Sequence, residues 1–472
     1  MRKMVSMKNI LPGMLICLFA IACQKDVLKG YKSPERAILF YNIDGQIGKT
    51  VITRSVDSSV VTVTLPPTMD LTAVKPQIAV SENATISPAS GEAVDFSASK
   101  TKTYTVISAD GSKREWTVRI QLSEEPFPGL VLIPNEGKWD AKVKVYSDTL
   151  YNSYLTRYSG WNGADGCYST LLPDGSLLWT FQDSFFGEVT PERARVDNAF
   201  VRNTGILQKD RSLSSFIQLN PGTGNQSQTW IRYPGNTNDE DDLYWPGSAH
   251  IYNNKVQLPM GHMHKNPETG QLEHLSTDVA ILSLPDLAVE KIVRDVDTTR
   301  NTGYDSGTFD AEDGYTYIYG TENGWLTTML HVARAPGHDL TAKWEYLTES
   351  GWADQPDGHF IARDVTLPNV FKDGGKYYLV SQQIVYGQDI YIFESTSPVG
   401  PWTNKRTLYR IPDKYNGTDI LTYNASVHAG LSQQGELVIS YNINPVDFWS
   451  NFNNPGSADR YRPYFVRVFN WK

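Results

Sequence analysis

The stretch Cys167-Tyr168-Ser169-Thr170-Leu171-Leu172, Pro173-Asp174-Gly175-Ser176, Leu177-Leu178-Trp179-Thr180-Phe181-Gln182 reads as a strand, a tight polar turn and a second, aromatic strand. Aspartate followed by glycine between two apolar runs is a strong short-range hairpin signal, because the turn needs residues that tolerate positive φ. The pattern recurs. Ala249–Tyr252 turns at Asn253-Asn254 into Lys255–Leu258, and Asp305–Phe309 turns at Asp313-Gly314 into Tyr315–Gly320. Val365–Phe371 turns at Asp373-Gly374 into Lys376–Ser381, and Ser426–Leu431 turns at Gln434-Gly435 into Glu436–Tyr441. Turn positions 174, 254, 313, 373 and 434 are separated by 80, 59, 60 and 61 residues. Units of roughly 60 residues hold four strands and their loops, which is the arithmetic of propeller blades. The expectation is an all-β chain whose C-terminal domain, residues 135–472, is a five-bladed β-propeller. The polar interval Gln208 to Asp242 stretches the first step and reads as a long rim loop.

Upstream of the propeller lie short β-branched runs, Thr50–Thr53, Val60–Leu65, Lys102–Ile107 and Glu115–Ile120. The last two are joined by the turn Ala109-Asp110-Gly111-Ser112. This spacing fits a small immunoglobulin-like β-sandwich over residues 35–122, with 123–134 as a linker. At the N-terminus, a basic stretch from Met1 to Lys8 precedes the apolar run Ile10 to Ala22, too short to span a bilayer comfortably. The run ends Leu18-Phe19-Ala20-Ile21-Ala22-Cys23, which resembles a bacterial lipobox. The expectation is a signal peptide over 1–22, lipidation at Cys23 and a tether over 23–34, placing the protein on the outer membrane at the cell surface. An ordinary secretory signal with an incidental cysteine is the alternative.

Charge and cysteines narrow the function. The leader carries Arg2, Lys3 and Lys8 and no acid, so its removal takes the net charge from −9 to −12. A chain this acidic, without a basic stripe, is unsuited to nucleic acid. Cys17 leaves with the leader and Cys23 takes the lipid, so Cys167 has no partner for a disulfide. Within its strand-like run it reads as a small buried apolar residue.

In a propeller the first strand of each blade runs away from the ligand face and the second returns to it. Pairing about Asp174-Gly175 sets 166 opposite 183 and makes Asp165 and Asp183 neighbours at that face. Pairing about Glu312–Tyr315 likewise brings Asp305 beside Glu322. Such acids have three readings. They can perform acid/base hydrolysis of a glycosidic bond, with a like-charged neighbour raising one pKa. They can cap turns, as Asp beside Gly commonly does. Or they can hold a structural Ca²⁺. Trp161, Trp245 and Trp325 flank the same rim and either stack on sugar rings or plug the core; Tyr304 is counted with the substrate-binding candidates. His250 and His428 lie in first strands, where an interior histidine is the default and a substrate contact the alternative. His262 and His264 alternate at strand spacing without a clear third metal ligand. No cofactor is expected.

Several motifs carry a family resemblance. Gly163–Ser169 followed by Leu172–Ser184 resembles the first blade of a Bacteroidetes propeller group known as a domain of unknown function. Tyr244-Trp245-Pro246-Gly247, Tyr315–Gly320, Val332-Ala333-Arg334 and Ser395–Trp402 are similar to its later blades. The N-terminal module resembles the immunoglobulin-like modules of Bacteroidetes glycan-utilisation lipoproteins. Related propellers include endo-acting arabinofuranan hydrolases and, more distantly, furanosidase-fold glycosidases. The resemblance implies catalytic acids at the starts of inner strands, here Asp165 and Asp305. Gln182 stands where those relatives lead one to expect glycine, and blade two lacks an inner-strand acid. The reading is a surface glycoside hydrolase acting on a polysaccharide, with Asp165 as base or nucleophile, Glu322 as general acid, and Asp183 and Asp305 tuning charge. Its rivals are a non-catalytic glycan-binding lipoprotein and a structural or adhesion protein.

Overall fold

The computed structural model describes residues 32–472 apart from 48, 56–57, 68, 124–128, 211, 237 and 434. The leader, Cys23 and most of the tether lie outside the described residues. Contacts divide the chain into two compact units, Met1–Phe127 and Pro128–Lys472.

In the first unit, Ser59–Leu65 alternates buried and part-buried side chains, the period-2 pattern of a strand with one face on a core. It runs parallel to Lys113–Leu122, which pairs in turn with Thr101–Ile107. Val51–Arg54 and Thr85–Ser87 complete five strands, and Ile38–Asn42 with Gln77–Val80 forms a second, two-stranded sheet. Tyr41, Val61, Val63, Phe96, Tyr104, Trp116 and Val118 share one core between them.

The second unit is a five-bladed propeller. Blade one is Tyr168–Leu171, Leu177–Phe181, Thr204–Gln208 and Ile217–Gln218. Blade two is His250–Tyr252, Lys255–Lys265, Leu272–Leu282 and Val289–Asp297. Blade three is Thr302–Asp310, Tyr315–Gly324, Thr327–Pro336 and Glu345–Thr348, and blade four is Thr366–Asp373, Lys376–Gln382, Asp389–Ser395 and Thr403–Arg410. Blade five takes Thr418–Val427, Glu436–Pro445 and Arg462–Phe469 from the end of the chain. Its next strand, Lys144–Asp148, comes from the start of the domain and pairs Ser147 with Val466. The ring therefore closes by mixing the two ends of one domain. Arg467 fastens this closure from within, reaching Asp148 and Glu436 at 2.7 Å each.

All five inner strands break their ladder at one level. The interruptions are Asp165–Cys167 in blade one, Gly247–Ala249 in blade two, and bulges at Tyr304–Ser306, Leu367-Pro368 and Asn424-Ala425 in the others. Bulges bend a strand and re-aim its side chains, which is why they gather beside active sites. Neighbouring breaks also pack backbone on backbone. A Cβ on Gly247 would lie 1.7 Å from the Asp305 carbonyl, and one on Gly307 would lie 2.3 Å from the Pro368 carbonyl.

Candidate active site

Asp165 sits at the break in blade one. Its N–H donates to the Asp183 carbonyl at 3.0 Å and its own carbonyl accepts from Gln182 N–H at 2.9 Å, so the two aspartates are cross-strand neighbours. The expected pairing of 166 with 183 is displaced by one residue, with Ala164 opposite Ser184. Burial and then the Asp183 charge raise the Asp165 pKa well above the carboxylate range. Tyr461 Oη donates to Asp165 Oδ2 at 3.0 Å, while Oδ1 is buried without a partner among the described residues. Asp183 accepts the Trp245 indole N–H at 3.1 Å and sits 3.4 Å from the Arg202 guanidinium. Burial outweighs both, and its pKa is pushed up to about 6.

Asp305 occupies the equivalent break in blade three, and burial pushes its pKa to about 6 as well. Blade two ties the acids together. Trp245 holds Asp183, and two residues on, Gly247 lies against the Asp305 backbone while its carbonyl accepts from Thr180 Oγ1 at 2.7 Å. The buried phenol of Tyr168 has its ionisation opposed by burial and then by the charges of Asp305 and Asp165 together. The acids of blades one and three therefore face one mouth. Beneath it, Ser169, Ser248, Ser306, Thr308, Asn369 and Ser426 line an axial cavity of about 130 Å³.

The other candidates scatter. The hairpin pairs one residue away from the expected register and the blade-three bulge shifts it by two more, so Glu322 stands opposite Thr302 and not beside Asp305. Its carboxylate is 37% exposed and meets His331 Nε2 at 2.9 Å. Trp161 is fully buried against Phe181 and Phe216. Tyr304 is buried against Trp344 and Tyr346, over Gly320. Neither ring is available to a ligand. His250 and His428 sit at the turn ends of their hairpins, away from the mouth. His250 lies between Asp310 and the His338 carbonyl; burial works against its charge, but Asp310 outweighs it and raises its pKa. His428 bridges Ser169 and Ser440, and burial drops its pKa to about 3, leaving it neutral. His262 and His264 share Asp242 Oδ1 at 2.8 and 3.0 Å.

Trp325 does stand on the ligand face, at the tip of a blade-three hairpin that rises three residues beyond Thr321, about 10 Å above the bulge. It is 90% exposed. The sequence reading overlooked Tyr386 and Trp449, 56% and 75% exposed, on the corresponding loops of blades four and five. It also overlooked Tyr461, Arg202 and Tyr423. Each aromatic tip follows the end of a second strand, a positional signal available once the blades are drawn.

A five-bladed all-β propeller with acids from two blades at one end of its axis is the class this fold and site define. The chain belongs to the family described as Domain of unknown function (DUF5005), whose model matches residues 148–471. A second model, described as SGBP, N-terminal, matches residues 39–120. A crystal structure from Bacteroides ovatus ATCC 8483, described as a "putative hydrolase", is 32% identical, covers 74% of this chain and 97% of its own, and superposes with a TM-score of 0.66. A GH43_1 enzyme from Xanthomonas citri complexed with xylotriose is 15% identical, with coverages of 66% and 87% and a TM-score of 0.39. A family 43 arabinoxylan arabinofuranohydrolase from Bacillus subtilis in complex with cellotetraose is 15% identical, with coverages of 66% and 63% and a TM-score of 0.41. Nothing matches among curated proteins.

Proposed function

We propose that the propeller hydrolyses a glycosidic bond in a polysaccharide at the mouth defined by Asp165, Asp183 and Asp305. The observation that carries this is the convergence of buried carboxyls with raised pKa values from two blades. Glycoside hydrolysis needs one carboxyl protonated near neutral pH, to deliver a proton to the leaving oxygen, and one ionised, to activate water or attack carbon. Asp305, pushed up to about 6 by burial, suits the acid role better than the exposed, histidine-paired Glu322. Asp165 and Asp183 act as a pair. Mutual repulsion keeps them from ionising together easily, so the pair presents one charge in the working pH range. Trp245, Trp325, Tyr386 and Trp449 supply flat apolar faces on which sugar rings stack.

The leader and its Cys23 lipobox, together with the match of residues 39–120 to an SGBP N-terminal module, support a lipid-anchored position at the cell surface. That module match also favours a second reading, glycan binding without cleavage. The variants Asp165→Asn and Asp305→Asn separate the two. Under the hydrolase reading each abolishes release of reducing ends from arabinan or arabinoxylan while binding persists. Undiminished cleavage by both variants removes the assignment, and binding without cleavage by the wild type establishes the binder.

A further inference from the structure

Among the described residues, Asp165 receives one hydrogen bond from another side chain, and it comes from across the ring closure. Tyr461 lies in blade five, at the start of the last strand, yet its hydroxyl reaches Asp165 Oδ2 in blade one. Its backbone stands at φ 56°, the left-handed region that a tyrosine seldom adopts and that persists only where surroundings enforce it. The enforcement is visible. Tyr461 N–H donates to the Ile443 carbonyl at 2.8 Å, and its ring packs edge-on against Phe185 and Phe448. Its carbonyl lies 2.5 Å from where a Cβ on Gly163 would be, an approach only glycine permits.

The residues before it are locked by two arginines at the start of the strand Arg195–Val201, which belongs to a three-stranded sheet and lies in the chain between the second and third strands of blade one. Buried Arg195 donates to the Ser457 carbonyl at 2.7 Å, the Arg460 carbonyl at 2.8 Å and Asn162 Oδ1 at 2.8 Å. Arg193 holds Asp459 and the Ala458 carbonyl at 2.8 and 3.1 Å. Burying a guanidinium against backbone carbonyls, with no carboxylate bonded to it among the described residues, is a costly way to fix a loop. The last residue of that loop brings a phenol to Asp165.

We propose that Tyr461 is a positioning residue whose hydroxyl holds Asp165 Oδ2 in place and offsets part of the burial and Asp183 repulsion that keep a proton on it; this rests on the hydrolytic reading of the mouth. The groups facing Asp165 are Asp183 from its own hairpin, with Arg202 and Trp245 behind it, Tyr168 from its own strand, and Tyr423 and Tyr461 from blade five. Of these side chains, Tyr461 is the donor to Asp165.

Tyr461→Phe keeps the ring and deletes the donor. With arabinan and arabinoxylan as probes, kcat is expected to fall about tenfold with KM within twofold, and the acid limb of the pH profile to move up by about one unit. Proton linkage supplies a readout free of turnover. Loss of the donor disfavours ionised Asp165 in the folded state only, so the melting-temperature gap between wild type and Tyr461→Phe should be constant while Asp165 is protonated and widen as pH rises through its raised titration range. In an Asp165→Asn background the same substitution should give a gap that does not change with pH. An unmoved acid limb with a constant gap would reduce Tyr461 to packing, and a change in KM alone would make it a substrate contact. Should neither polymer be cleaved, the hydrolytic reading fails while the melting series still decides the role of Tyr461.

Discussion

The indole N–H of Trp245 donates to the Asp183 carboxylate at 3.1 Å, carrying a hydrogen bond from blade two into the acid pair of blade one. Trp245 pairs with Gly261 in its own blade, where a Cβ would lie 2.3 Å from Asp305 Oδ2. One short segment thus touches both halves of the acidic mouth. Trp245→Phe keeps an aromatic side chain, smaller than the indole, and removes the donor. The expected result is a tenfold to hundredfold fall in kcat, from loss of about 1.5–3 kcal/mol of charge-assisted bonding. Steady-state kinetics against a soluble polymer checks it.

The buried acids should also make the protein more stable in mild acid. Asp183 and Asp305 titrate near 6 in the folded chain, against about 3.9 unfolded. The folded form therefore retains protons that the unfolded chain releases. Stability is full below pH about 4 and declines as pH rises toward and through 6, by on the order of 2 kcal/mol per group. Asp305→Asn removes one such group, so its melting temperature should exceed that of wild type at pH 7 and match it near pH 4. Calorimetry across that range tests both the sign and the window. A more stable and inactive variant is the pattern expected when a site is built at the expense of the fold.

Gly247 and Gly307 give a steric test of the level at which the inner strands break. A methyl group at either would meet backbone and not a flexible side chain, at 1.7 and 2.3 Å. Gly247→Ala and Gly307→Ala are each expected to lower stability by about 3 kcal/mol or more, with the mouth displaced. Thermal melts and a loss of glycan binding in the folded fraction would show it.

Blade count was legible because hairpin turns demand particular residues. Asp-Gly and Asn-Asn supply positive φ, and the observed pairs Leu171 with Leu177 and Tyr252 with Lys255 flank the expected turns, while Asp373 with Lys376 encloses Gly374-Gly375, one residue later than the expected Asp373-Gly374. Distance defeated the rest. Lys144–Asp148 pairs with a strand at the other end of the domain, and nothing local marks it as the closing strand. The bulge at Tyr304–Ser306 was equally hidden, and its two-residue shift is what parts Asp305 from Glu322. Tyr461 carries no sequence signature at all, since its place comes from a loop held by Arg195, a residue more than 250 positions away in the chain.

Ring closure rests on a buried charge cluster, which makes it fragile. Arg467 is bonded to Asp148 on the closing strand and to Glu436 on the strand at the other side of its own, both with buried side chains. Removing the guanidinium leaves two carboxylates without their counter-charge. Arg467→Ala should cost about 3–5 kcal/mol and separate Lys144–Asp148 from the ring. Hydrogen exchange at residues 144–148, faster in the variant than in wild type, is the measurement.

The exposed aromatic tips offer the converse case, residues whose removal should spare the fold. Trp325 and Trp449 are 90% and 75% exposed, and burying so little area they contribute little to folding. Large rings left in water on loops around an acidic mouth have a purpose other than packing. Stacking a sugar ring on such a face returns free energy only when ligand is present, and it does so at a distance from the reacting bond. Trp325→Ala and Trp449→Ala should therefore leave the melting temperature within about 1 °C. Each should weaken polymer binding several-fold, and the double variant should lose more, with binding of a disaccharide that fits within the mouth unchanged. Affinity electrophoresis against arabinan and arabinoxylan, run beside a disaccharide titration, reads both terms. Equal loss for polymer and disaccharide would place the tryptophans at the bond-cleaving position itself, and no loss for either would leave the tips outside the glycan path.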